Sequence, residues 1–82
     1  MNILVINNDL AELETLAERL RKKDPGGRVQ AFADPLLAVK YGYNHPVDVV
    51  YVKSIMRGLN GDDVVRLLRN IHTNIQVEIL DT

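Results

Sequence analysis

Ile3-Leu4-Val5-Ile6 followed by Asn7-Asn8-Asp9 opens the chain with four apolar, mostly β-branched residues that stop abruptly at three polar ones. A short run with no polar alternation reads as a strand buried on both faces, which is the habit of parallel sheets. From Leu10 the period changes. Leu10, Leu13, Leu16, Ala17 and Leu20 recur on one helical face, with Glu12, Glu14, Glu18, Arg19, Lys22 and Lys23 mostly elsewhere. Asp9 or Asn8 supplies the N-cap, and Asp24-Pro25-Gly26-Gly27 stops the helix. The basic cluster Arg21-Lys22-Lys23 suits the negative end of the helix dipole, so it reads as a solvated helix end and not as a phosphate-binding patch.

The same alternation continues. Residues 28–32 form a second strand of weak apolar character, suited to a sheet edge. Asp34-Pro35 is an N-cap followed by proline at the first helical position, and the helix it starts turns Leu37, Ala38 and Tyr41 inward, with Leu36 flanking, until Asn44-His45-Pro46. Residues 47–52 contain the most continuous β-branched run and belong in the sheet interior. After a loop marked by Gly58 and Asn60-Gly61, the residues Val64, Val65, Leu67, Leu68 and Ile71 define a third amphipathic helix, and residues 75–80 a fourth strand. The order βαβαβαβ predicts a three-layer α/β domain with a parallel sheet and helices on both faces. In such folds ligands sit beyond the carboxyl ends of the strands, which directs attention to Asn7, Asn8 and Asp9, to the loop from Lys53 to Gly61, and to Asp81.

Composition narrows the function classes. The 82 residues suffice for one domain, and 46% hydrophobic with 26% charged residues is ordinary for a globular fold. A net charge of −1 announces neither a nucleic acid nor an anionic membrane as partner. With no cysteine and two separated histidines, neither a disulfide framework nor a structural zinc site can be assembled. The amino terminus lacks the charged n-region of a signal peptide, so a cytoplasmic location is the default expectation. No P-loop, dinucleotide fingerprint or Ser-His-Asp order is present, and no enzyme activity is expected.

Four segments carry a family resemblance: Ile3-Leu4-Val5-Ile6-Asn7-Asn8-Asp9; Asp34-Pro35-Leu36-Leu37-Ala38; His45-Pro46-Val47-Asp48-Val49-Val50-Tyr51-Val52-Lys53; and Met56-Arg57-Gly58-Leu59-Asn60-Gly61. In order and spacing they resemble the receiver domain of two-component response regulators. The resemblance implies the strand order 2-1-3-4 and a magnesium-dependent phosphoryl switch, but its chemical positions are altered. The acidic pair falls on Asn7 and Asn8, the phosphoacceptor position on Lys53, and the Thr or Ser position on Asp81. Two neutral amides remove about two negative charges from a magnesium cage, and Lys53 puts a cation where metal and phosphoryl group would sit. A degenerate phosphorylation site, with no metal and no cofactor, is therefore expected. Because strands 3 and 4 are neighbours in the family's order, Lys53 and Asp81 come within reach of an ion pair; the alternative is that Lys53 extends to solvent and Asp81 frays.

The remaining polar residues read as structural. His45 and His72 fall in loops as solvated histidines, Asp62-Asp63 serves the amino end of the third helix, and Tyr41 and Tyr43 lie at the core boundary. The resemblance also implies a further helix, strand and helix after the fourth strand, so residues 1–82 read as a receiver-like domain with one sheet face partly bare, whether as a short variant or a fragment. The expected function is a phosphorylation-independent signalling or transcription-control module, a pseudo-receiver acting through a protein partner or as a homodimer. No direct nucleic-acid or membrane contact is expected, and any DNA-binding output domain would lie outside this chain. The alternative is a sensor that binds a small anion or metabolite among Asn7, Asn8 and Lys53.

Overall fold

The computed structural model describes residues 1–81, which form seven elements: β1 (Asn2–Ile6), α1 (Leu10–Lys23), β2 (Arg28–Phe32), α2 (Pro35–Asn44), β3 (Val49–Lys53), α3 (Gly61–Arg69) and β4 (Gln76–Leu80). All strand pairings are parallel and the order is β2-β1-β3-β4. The expected architecture and strand order are both found. β1 and β3 lie inside the sheet, in keeping with their unbroken apolar runs, and the weaker β2 and β4 form its edges.

Alternate residues of β1 and β3 serve opposite faces, because side chains on a strand alternate. Ile3, Val5 and Val49 meet Leu13, Ala17 and Leu20 of α1, with Val29 of β2. Leu4, Ile6, Val50 and Val52 meet Ala38 and Val39 of α2 and Val64, Val65 and Leu68 of α3. One helix thus covers one face and two helices the other. Burying each Val, Leu or Ile of these layers contributes about 1.5–3 kcal/mol, before the ordering of the chain offsets most of the sum.

Helix starts follow the expected caps. Asp9 accepts from the Glu12 amide at 3.0 Å, and Asp34 accepts from the Leu36 amide at 2.9 Å, with Pro35 in the first turn. At α3 the Asp63 carboxylate accepts from the Asn60 amide at 3.3 Å, placing Asp62-Asp63 in the first turn as expected. β3 and β4 each begin one or two residues later than their apolar runs suggest: Val47 and Ile75 are buried in the approaching loops and contribute packing without a ladder.

Several inward assignments need correction. Leu10 is exposed, since the first residue of α1 projects past the end of the sheet. Leu36 and Leu37 are exposed too, because α2 is rotated so that Pro35, Ala38, Val39 and Gly42 form its buried stripe and Tyr41 only its margin. Ile71 lies beyond the end of α3 and is exposed. His72 is not simply solvated. Its Nε2 lies 2.6 Å from the Gly42 carbonyl oxygen, joining the end of α3 to α2.

Candidate functional site at the carboxyl ends of the strands

Asn7 follows β1 directly and is the buried polar residue among the described residues, 4% exposed. An amide there must satisfy both its donor and its acceptor. Its Oδ1 accepts from the Asp9 amide at 2.9 Å, and its Nδ2 donates to Glu12 Oε1 at 3.0 Å. The same Glu12 oxygen receives the Lys53 ammonium at 3.1 Å. Lys53, the last residue of β3, keeps only 15% of its side chain exposed, against 42% for Glu12. The result is a three-residue cluster, Asn7–Glu12–Lys53, at the mouth of the sheet. Hydrogen bonds from Asn7 and then from Lys53 hold the Glu12 carboxyl below its ordinary value of 4.5.

The ion pair expected between Lys53 and Asp81 is therefore not formed. Leu80, not Asp81, stands beside Lys53 in the ladder, and Asp81 Oδ1 instead accepts from the Ser54 hydroxyl at 2.8 Å. Lys53 turns towards α1, where an amide donor beside Glu12 has already assembled half of an anion's coordination. Glu12 is the residue of this cluster that the sequence reading does not single out. The available signal was its place three residues after the Asp9 cap, a position from which a glutamate ordinarily reaches back to its own cap amide. Here Asn7 has taken that amide, and the carboxylate is released to Lys53.

Asn8 points the other way. Its Nδ2 donates to the Ala33 carbonyl at 2.7 Å and its Oδ1 accepts from the Arg57 amide at 2.6 Å, so it ties together the ends of β1 and β2 and the loop after β3. That loop is fixed from below as well: Gly61 N donates to the Ser54 carbonyl, and a Cβ at Gly61 would stand 2.7 Å from the Lys53 carbonyl oxygen.

Asn7, Glu12, Lys53 and Asp81 line one open cavity of about 390 Å³ between α1 and the β3–β4 side of the sheet, with Leu16 and Arg19 on its α1 wall. The donor set does not suit magnesium. The amide oxygens of Asn7 and Asn8 are engaged by backbone amides, the Glu12 carboxylate is engaged by Asn7 and Lys53, and the Lys53 ammonium adds a positive charge. Among the described residues, no group of three or more His, Asp or Glu side chains is arranged to hold a metal ion.

No protein-family model matches the chain, and no curated protein does. Solved structures do match. The receiver domain of the Francisella response regulator 1452 superposes with a TM-score of 0.71 at 23% identity, over 99% of this chain and 68% of that one. The receiver domain of the hybrid histidine kinase CckA gives a TM-score of 0.71 at 18% identity, over 100% of this chain and 87% of that one. A fusion protein carrying a yeast Spc42 trimeric coiled-coil segment gives 0.81 at 20% identity, over 96% of this chain and 52% of that one, so the chain spans about half its length. The fold is that of a response-regulator receiver domain, with the strand order that the sequence resemblance implied. Among the described residues no helix is long and apolar enough to cross a membrane.

Proposed function

We propose that this domain is a regulatory interaction module of the response-regulator type that works without phosphorylation, holding one receiver conformation and presenting it to a protein partner or a second copy. The observation that carries this reading is the Asn7–Glu12–Lys53 cluster. It fills the place of an acidic metal site with an amide, a borrowed carboxylate and its counter-cation. Charge at the mouth of the sheet is balanced within the chain, so neither a divalent cation nor a phosphoryl group is needed to balance it. The receiver fold of the solved neighbours supports the signalling class, and transcriptional control or a phosphorelay is the setting such a module would serve.

The test is incubation with acetyl phosphate and magnesium, followed by intact-mass and melting measurements. The expected result is an unmodified chain with an unchanged melting temperature. A phosphate adduct mapped to Asp9, Glu12 or Asp81 would overturn the proposal.

A further inference from the structure

Among the described residues β4 is an edge strand, and its outer side can be read residue by residue. Gln76 N donates to the Asp48 carbonyl at 2.9 Å, and the Leu80 carbonyl accepts from Ser54 N at 3.1 Å. In a parallel ladder each residue turns its N–H and C=O to the same side, alternating along the strand. Gln76, Glu78 and Leu80 therefore spend their backbone groups on β3, and Val77 and Ile79 turn theirs away from the sheet. The side chains of Val77 and Ile79 lie on the α3 face, Ile79 with 42% of its surface exposed. Beside them runs a groove of about 510 Å³ with Val65, Val77 and Ile79 along it, Asp62 from one end of α3, and Arg66 and Arg69 from the other.

We infer that a second copy of this chain occupies that edge, β4 pairing antiparallel with β4 about a two-fold axis at Ile79 to give one continuous sheet. This names the partner within the function proposed above, and rests on that reading for its purpose but not for its geometry. Only outward-facing residues can form hydrogen-bonded pairs, and the registers that keep the strand centres together have their axis at Val77, Glu78 or Ile79. An axis at Glu78 would set the two Glu78 carboxylates directly opposite each other, a destabilising like-charge pair. An axis at Val77 would put Ile79 opposite Ile75, whose side chain is buried and whose N–H is already donated to the His72 carbonyl. An axis at Ile79 pairs Ile79 with itself and Val77 with the backbone of Asp81, and faces Glu78 with Leu80.

Charge complementarity supports a copy over an unrelated strand. The two-fold runs the two α3 helices antiparallel, so the acidic end of each groove, Asp62, comes opposite the basic end, Arg66 and Arg69, of the other copy. The same surface that repels itself in parallel matches itself when reversed.

The test uses residues 1–82, which contain no cysteine to interfere. Val77→Cys, Glu78→Cys and Ile79→Cys are each treated with a short thiol-to-thiol cross-linker, alongside sedimentation of the unmodified protein. Fastest covalent dimer formation at position 79, with a reversible dimer at tens of micromolar, is the expected result. A maximum at position 77 or 78, or a monomer with no cross-linking, would overturn the proposal. Val77→Pro supplies a second reading. The lost N–H faces away from β3, so the monomer should keep its circular dichroism and dimerise at least about tenfold more weakly. Undiminished dimerisation of the folded Val77→Pro variant would also overturn it. A monomeric protein that resists phosphorylation would remove the edge pairing and leave the preceding reading standing, and a phosphorylated dimer would do the reverse.

Discussion

The Lys53 ammonium at the end of β3 lies 3.1 Å from Glu12 Oε1 in the first turn of α1, 41 residues away in sequence. This contact joins an interior strand to the helix that, among the described residues, covers one face of the sheet. Asn7 donates to the same oxygen from the end of β1, so strand, turn and helix share one acceptor.

The cluster predicts a pH dependence. Asn7 and Lys53 hold the Glu12 carboxyl below 4.5, so the folded state binds its proton less tightly than the unfolded chain does. The associated stability is fully present above the unfolded value and is lost as pH falls through the lowered folded value. Urea melts from neutral to strongly acid pH should show a loss that begins below 4.5 and is diminished in Glu12→Gln. Identical pH profiles for the two proteins would remove Glu12 from the account.

Asp81 and Lys53 are energetically separate. Asp81 is exposed and, among the described residues, its side chain receives the Ser54 hydroxyl, so Asp81→Ala should change stability by no more than about 0.5 kcal/mol. Lys53→Met keeps the aliphatic stem and should cost about 0–1 kcal/mol, the range of a partly exposed pair. A double-mutant cycle on these two positions should return no coupling, and a clear coupling energy would restore the direct pair.

Asn8 holds the loop after β3 by its amide. Asn8→Ala removes the bonds to the Ala33 carbonyl and from the Arg57 amide and should cost about 1–3 kcal/mol. Hydrogen exchange supplies the specific readout: the Arg57 amide should lose protection while β1 amides keep theirs.

Gly61 is fixed by close approach. A methyl group there meets the backbone of Lys53 and Ser54, which cannot swing aside as a side chain would, so Gly61→Ala should cost about 1–3 kcal/mol. Gly26, with open space around its missing Cβ, is the control, and Gly26→Ala should be close to neutral in thermal melts.

Sequence alone determined the seven elements and the parallel pairing that their βα alternation dictates. Each of these rests on local signals: apolar runs in β1 and β3, the Asp9 and Asp34 caps, and the polar breaks between them. It also placed Asn7, Lys53 and Asp81 at one end of the sheet, because a parallel topology brings every strand's carboxyl end to the same edge. Only the tertiary structure decided which of those groups meet. Leu80 rather than Asp81 stands opposite Lys53, and Asn7 claims the cap amide that would have held Glu12 to its own helix. The inward stripe of α2 was set likewise by helix rotation against α3, burying Gly42 and leaving Leu36 and Leu37 outside. Secondary structure follows periods that neighbouring residues carry among themselves. An ion pair between Glu12 and Lys53 depends on strand register and helix rotation, which are fixed only when the whole core closes.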